Sequence, residues 1–165
     1  MKKFKKVYIS HPLRGDMDLS KPNLKIPYDN MQKVDNICRR IADEHPDLLL
    51  LSPIHAFAFL NVFADDEKAL EMDRVLLELA DELWVFGEWQ TSEGCQMEIK
   101  WARELVIPII YETGESECPK KYRCGDSDFI LYERAWNIEQ AADLLGCHNE
   151  CHKRPGCRGP VEYTG

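Results

Sequence analysis

Apolar residues along the chain fall into short continuous runs and into longer stretches with helical spacing. Four short runs predict strands, at residues 4–10, 47–52, 83–86 and 106–111. The leucine-rich second run stops at Pro53, which is typical of a strand buried on both sides. Stretches with apolar residues three or four positions apart predict helices, at residues 30–44, 65–80 and 94–105. Strands that alternate with helices predict an α/β fold with a parallel sheet and right-handed crossovers.

Breaks in this pattern predict loops and helix ends. Residues 11–27 contain Gly15 and three prolines, so we expect a long, irregular loop after the first strand. Asp29 or Asn30 is a suitable cap for the first helix. The apolar and aromatic residues 54–63 are compatible with a short helix or with a lid over a pocket.

The composition changes after Thr113, and we predict two parts, residues 1–112 and 113–165. The second part holds five of the seven cysteines. A strand at residues 129–132 and a helix at residues 137–145 are predicted within it.

Charge and hydropathy exclude several classes of protein. The net charge of −8 disfavours coating of nucleic acid, which needs a basic face. The sequence lacks the roughly 20 consecutive apolar residues of a membrane span and has no signal-peptide core at its start. We therefore expect a cytoplasmic protein with neither nucleic acid nor membrane as its partner.

Two carboxylates are predicted to face the interior. The helical neighbours of Asp73 are Ala69, Leu70, Leu76 and Leu77, and those of Glu98 are Gly94, Cys95, Trp101 and Ala102. A buried carboxylate is costly unless it is paired, so these acids are either structural or functional. Glu98 also lies about one turn into its helix, where the dipole favours an anion, and such a carboxylate is a competent nucleophile.

Two loops follow strand ends that should share one edge of the sheet, where α/β proteins bind ligands. Ser10, Arg14 and Gly15 belong to the loop after the first strand. Ser92 and Gly94 precede or begin the helix after the third strand, which favours a phosphate or a carboxylate. These five residues are candidate substrate and phosphate ligands, although a serine before a helix is more often only a cap.

Two motifs resemble a known superfamily. The segment Tyr8-Ile-Ser-His-Pro-Leu-Arg-Gly15 resembles the opening motif of nucleoside 2-deoxyribosyltransferases and 2′-deoxynucleoside 5′-phosphate N-hydrolases. The segments that contain Asp73 and Glu98 resemble their aspartate and nucleophile helices. The resemblance covers about residues 5–112 and is closer still to an uncharacterised bacterial and phage branch of the superfamily, a domain of unknown function. It implies a flavodoxin- or Rossmann-like parallel sheet of four to five strands with helices on both faces, followed here by a cysteine-rich C-terminal extension.

The resemblance also implies roles for individual residues. Glu98 corresponds to the glutamate that attacks the anomeric carbon, and Asp73 to the aspartate that holds the sugar or protonates the leaving base. Tyr8 corresponds to a tyrosine that lines the pocket. Arg14 matches the arginine of the N-hydrolase loop, and Ser92 stands where N-hydrolases have a serine near phosphate, which favours a nucleotide over a nucleoside.

The implied function is an N-glycosidic bond hydrolase or deoxyribosyltransferase that acts on a nucleotide or nucleoside without a catalytic cofactor. The resemblance implies a homo-oligomer, since a neighbouring subunit often completes the pocket in this superfamily. His11, Pro12 and the prolines that follow depart from the motif. That departure favours an alternative, a non-catalytic module that binds or senses a nucleotide.

The last fifty residues carry a candidate structural zinc site. Cys118, Cys124, Cys147, Cys151 and Cys157 offer five thiolates, and His148 and His152 add two imidazoles. Four such ligands suffice for tetrahedral zinc, but the spacings match no standard ribbon or finger. Free or opportunistically paired thiols are the alternative, as is a metal-stabilised docking surface for another protein.

Overall fold

The computed structural model describes residues 4–15, 17, 20, 21, 23–57, 59, 60, 66–124, 132–135 and 160–162. These residues form two compact units, Met1–Glu117 and Cys118–Gly165. The first unit is an α/β fold around a five-stranded, mostly parallel sheet. Its boundary lies five residues beyond the predicted one at 112/113, because a short strand returns along the sheet edge after Tyr111.

The strands of this sheet are β1 (Lys5–Ser10), β2 (Leu48–Leu51), β3 (Glu82–Val85), β4 (Ile109–Tyr111) and β5 (Ser116–Glu117). They lie in the order β2-β1-β3-β4-β5. The first four run parallel, and β5 is antiparallel to β4. The four strands that the apolar runs predicted are therefore present and parallel. The expected sheet of four to five strands has five, but β5 is antiparallel and its position was not predicted.

The strand that is buried on both faces is β1, not β2 as the leucine run predicted. Val7, Tyr8, Ile9 and Ser10 are all fully buried, because β1 lies between β2 and β3. The outermost position of β2 leaves Leu49 47% exposed. An uninterrupted apolar run therefore did not identify the central strand here.

Four helices flank the sheet within the described residues: α1 (Lys25–Glu44), α2 (Pro53–Ala56), α3 (Asp66–Leu77) and α4 (Glu93–Glu104). Helix α1 packs against the face that presents Val7 and Ile9, where a core forms with Val34, Ile41 and Phe86. Helix α4 contacts the opposite face through Glu98, which bonds to Tyr8 and Ser10. No helix in the described ranges is long and apolar enough to cross a membrane.

The predicted cap of α1 at Asp29 or Asn30 is wrong. The helix begins earlier, at Lys25, with Leu24 as its N-cap and Pro27 in the first turn, where a missing N–H costs little. Asn30 is instead a buried helical residue whose side chain donates to the carbonyl of Leu13 at 3.0 Å. It therefore ties the loop after β1 to α1.

The second unit contains a three-stranded antiparallel sheet. It comprises β6 (Lys120–Cys124), β7 (Tyr132–Ala135) and β8 (Pro160–Glu162), in the order β7-β6-β8. The strand predicted at residues 129–132 overlaps β7 at Tyr132. The helix predicted at residues 137–145 lies outside the described residues.

Candidate active site

Glu98 is placed by the start of α4. Ser92 is the N-cap, and its hydroxyl accepts a hydrogen bond from the Cys95 backbone N–H at 3.4 Å. With the helix begun there, Glu98 falls on the same face as Cys95 and Ala102, both of which are buried. Glu98 itself is 5% exposed, which confirms that this carboxylate faces inward.

Both oxygens of Glu98 are held by hydroxyl groups of β1. The Tyr8 hydroxyl donates to Oε1 at 2.6 Å, and the Ser10 hydroxyl donates to Oε2 at 2.5 Å. Alternate residues of a strand point to the same face, so Tyr8 and Ser10 reach α4 while Val7 and Ile9 face α1. Each oxygen of the buried carboxyl therefore accepts a hydrogen bond from one hydroxyl donor.

Burial has the largest effect on the pKa values of Glu98, Asp73 and Tyr8. It raises the pKa of Glu98 to about 7, against the opposing effect of the hydrogen bonds from Ser10 and Tyr8. The nearby Asp73 charge adds to the rise. Burial also raises the pKa of Asp73, a half-buried residue of α3, to about 6. Burial and the two carboxylates keep the pKa of Tyr8 well above its ordinary value, so Tyr8 stays a phenol that can donate.

His11 and Gly87 pack against each other at the carboxyl ends of β1 and β3. Gly87 has φ +67°, and a Cβ there would lie 3.0 Å from Nε2 of His11. Glycine is therefore required both by the backbone angle and by the ring. His11 Nδ1–H donates to the Pro12 carbonyl at 2.8 Å, and burial lowers the pKa of His11. The neutral His11 ring therefore has a structural role, because it packs against the end of β3 at this edge of the sheet.

The predicted phosphate ligands lie on two loops at this same edge. Arg14 and Gly15 are half-buried in the loop after β1, and Ser92 and Gly94 stand at the start of α4. Ser10 was predicted to contact substrate, but its hydroxyl donates a hydrogen bond to Glu98. Contact of Arg14, Ser92 and Gly94 with a common anion stays a prediction.

The predicted zinc ligands fall mostly outside the described residues. Cys147, His148, Cys151, His152 and Cys157 lie there, and Cys124 ends β6. Cys118 is an exposed free thiol. Within the described part of the chain, no group of three or more His, Cys, Asp or Glu side chains could hold a metal ion. The zinc site therefore stays a prediction.

The sequence predicted no role for two side chains that lie beside serine hydroxyls, Cys95 and His55, and only His55 is of functional interest. Cys95 is buried beside Ser10 and Ser92, and burial raises the pKa of its thiol to about 12, which leaves it unreactive. His55, to which the sequence assigned no role, lies between Asp35 and Ser52. The only signal for this cluster in the sequence was that Ser52 and His55 lie three positions apart, directly after a predicted strand. Asp35, the third member, comes from α1 and is distant along the chain.

Residues 5–112 match a family model described as a domain of unknown function (DUF7768). The match extends from β1 through β4 and includes Tyr8, Ser10, Asp73 and Glu98. No curated protein and no solved structure matches the chain.

Proposed function

The chain belongs to the DUF7768 family of domains of unknown function, so its activity has to be argued from the site itself. We propose that it cleaves the N-glycosidic bond of a nucleoside or nucleotide, with Glu98 as the nucleophile. The observation that carries this proposal is a buried carboxyl whose two oxygens are each held by a hydroxyl donor, at the carboxyl end of β1. Such a group is oriented and desolvated, as a carboxylate nucleophile has to be.

The proposed reaction has two displacements. An oxygen of ionised Glu98 forms a bond to C1′ as the bond from C1′ to the base nitrogen breaks, and the base leaves with the electron pair. Water or a second base then attacks C1′ and releases Glu98. Hydrolysis and transfer differ only in that second acceptor, and we retain both.

Two roles for Asp73 belong to the proposal. Burial raises the pKa of both Asp73 and Glu98, and the Asp73 charge adds to the rise for Glu98, so the two carboxyls titrate as a coupled pair. In its ionised form Asp73 accepts hydrogen bonds from sugar hydroxyls, and in its protonated form it donates a proton to the leaving base. Tyr8 and Ser10 position Glu98 and favour its ionised form.

Other features belong to the same proposal. The four parallel strands have the order β2-β1-β3-β4, which is shared with flavodoxin-like sheets, while the short β5 is antiparallel. The order of the parallel strands supports a flavodoxin- or Rossmann-like assignment and the resemblance to nucleoside 2-deoxyribosyltransferases. Arg14, Ser92 and Gly94 are the proposed phosphate ligands of a nucleotide substrate. A cytoplasmic homo-oligomer with a cysteine-rich, zinc-stabilised extension remains part of the proposal.

One observation favours a second candidate, binding without cleavage. Both Glu98 oxygens are already engaged by Tyr8 and Ser10, so a nucleophile has to give up one bond or use its remaining lone pair. A module that only binds a nucleotide needs no such change.

The test is release of free base from a panel of nucleosides and nucleoside 5′-monophosphates, measured by chromatography. We expect release by the wild type and a loss of about 1,000-fold or more in Glu98→Gln, because the amide cannot form the glycosyl ester. Glu104→Gln, an exposed change on the same helix, is the matched control and should keep full activity. Saturable binding without base release would support the second candidate, and equal release by Glu98→Gln would remove Glu98 from the reaction.

A further inference from the structure

A second group of hydrogen-bonded side chains lies at the carboxyl end of β2, on different elements from those that hold Glu98. His55 of α2 stands between Ser52 and Asp35, with Nδ1 2.7 Å from the Ser52 hydroxyl oxygen and Nε2 2.6 Å from Oδ1 of Asp35. Ser52 follows the last residue of β2, and Asp35 projects from α1. An acid, an imidazole and a hydroxyl are thus linked in that order.

The hydrogen-bonding partners of His55 determine which of its ring nitrogens carries the proton. The Asp35 carboxylate can only accept, so it selects the tautomer of neutral His55 with the proton on Nε2. Nδ1 then carries a lone pair and faces the Ser52 O–H. This is the arrangement in which an imidazole removes a proton from a serine while a carboxylate orients the ring and stabilises its charged form.

These side chains line an open cleft of about 520 Å³, a volume in the range of small-molecule sites. Its apolar lining comes from Leu50 and Leu51 of β2, Ala56 of α2 and Leu76 of α3. The guanidinium of Arg39 also lines the cleft and lies 4.0 Å from the second oxygen of Asp35. An apolar wall beside a hydroxyl, an imidazole and a guanidinium suits a substrate with a small apolar body and one polar, electrophilic carbonyl.

We propose that Ser52, His55 and Asp35 form a second reaction centre, in which Ser52 is the nucleophile for acyl transfer from a carboxylic ester with a small apolar acyl group. His55 is the general base, and Asp35 is a positioning residue that acts through His55. This centre is independent of the function proposed for Glu98.

The proposed reaction passes through an acyl-serine intermediate. The Ser52 oxygen forms a bond to the carbonyl carbon, and its proton passes to Nδ1 of His55. The tetrahedral adduct then expels the alcohol, which takes that proton from His55 and leaves an acyl-serine. Water, deprotonated by the same nitrogen, attacks the acyl-serine and returns the free acid and the original Ser52 hydroxyl.

Cys38 is the other nucleophilic atom in the cleft and serves as an internal control. It is half-buried beside Ser52, and burial raises the pKa of its thiol, so the thiolate that would compete with Ser52 is disfavoured. The proposal therefore requires modification at Ser52 and not at Cys38.

The test is labelling of the full chain with an alkyl fluorophosphonate, which transfers its phosphoryl group to an activated serine as fluoride leaves. Intact mass gives the stoichiometry, and peptide mapping gives the position. We expect one label on Ser52, no label in Ser52→Ala, and labelling at least about tenfold slower in His55→Gln and in Asp35→Asn. His45→Gln and Glu104→Gln change exposed residues outside the cleft and should react like the wild type.

A structural explanation predicts a different result. Ser52 is also the N-cap of α2, and a purely structural contact with His55 would leave the serine no more reactive than an exposed serine. An unlabelled Ser52 in the folded wild type, or a labelling rate unaffected by His55→Gln, would overturn the proposal. Circular dichroism establishes folding of each variant. Should Ser52→Ala unfold, the mapped position in the wild type and the rates of the His55 and Asp35 variants still decide the question.

Discussion

At the scale of single residues, two opposing effects determine the pKa of the Glu98 carboxyl group. Burial favours the protonated form, while the hydroxyls of Tyr8 and Ser10 favour the ionised form. The balance places its pKa at about 7, so small changes in the hydrogen bonds alter the fraction that can act as a nucleophile.

Tyr8→Phe should move the activity of the protein to higher pH. The substitution keeps the buried ring but removes the bond to Glu98, so the pKa of Glu98 rises further and its ionised fraction at neutral pH falls. A hydrogen bond to a charged group contributes roughly 1.5–3 kcal/mol, which corresponds to a shift of about one pH unit or more. The rising limb of base release against pH measures it.

Tyr28→Phe is the matched control for this prediction, because Tyr28 is 63% exposed on α1. Its pH profile should coincide with that of the wild type. A Tyr8→Phe profile that also coincided with the wild type would mean that the Tyr8 bond does not control Glu98.

The sequence predicted the inward orientation of Glu98 from neighbours on its own helix. It did not predict the partners that hold Glu98, since Tyr8 lies 90 positions away along the chain and Ser10 lies 88 away. Contacts at that separation depend on which face of β1 meets α4, and this follows from sheet order rather than from local spacing.

At the scale of elements, the end of α4 carries backbone strain. Val106 follows the C-cap Leu105 and has φ +59°, a left-handed conformation that is costly for a β-branched residue. The Ile107 N–H returns to the Ala102 carbonyl at 2.8 Å, which is the bonding of a helix end that normally uses glycine.

Val106→Gly should therefore raise the free energy of unfolding by about 1 kcal/mol, because relief of the left-handed strain exceeds the entropy cost of glycine. Urea denaturation measures the change. Val75→Gly is the matched control: Val75 is an exposed residue of α3, and the same substitution there should destabilise by about 0.5 kcal/mol. Equal destabilisation by both changes would show that Val106 is not strained.

Element type was predictable from periodicity, whereas the place of each strand in the sheet was not. Three strands of the parallel sheet were predicted within one residue of their observed bounds. The fourth was predicted from residue 106 but begins at Ile109, because the backbone N–H groups of Val106 and Ile107 bond to the last turn of α4. The start of α1 was missed because Leu24 caps it without a side-chain bond, and β5 was missed because a two-residue strand has no pattern of its own. The edge position of β2 depends on strand order, which composition does not encode.

At the scale of the whole molecule, the buried acid makes stability depend on pH. The folded-state pKa of Glu98, about 7, exceeds its ordinary value of 4.5, so folding favours the protonated form. This contribution is fully present below about pH 4.5 and is lost as pH rises through about 7. At roughly 1.4 kcal/mol per pH unit, the difference amounts to about 3 kcal/mol.

Glu98→Gln should remove this dependence. Between about pH 5 and pH 8 the wild type should lose about 3 kcal/mol more unfolding free energy than the variant, which carries an amide that does not titrate. Urea denaturation at the two pH values measures it. Parallel pH dependence of wild type and variant would contradict the buried, pKa-raised state of Glu98.

The two-part organisation was visible in composition, because five of the seven cysteines and six of the nine glycines lie after Thr113. The three-stranded sheet of the second unit was not, since its strands are short and widely spaced along the chain. Metal binding in that unit stays a prediction, because metal ligands are brought together by the fold rather than by spacing alone.

The most direct test of the account is the mass of the peptide that contains Glu98 after brief reaction with a nucleoside or nucleotide that the protein cleaves, followed by acid quench. The account predicts one glycosyl group esterified to Glu98 in the wild type and none in Glu98→Gln. Release of base with Glu98 unmodified, and with full activity in Glu98→Gln, would contradict it.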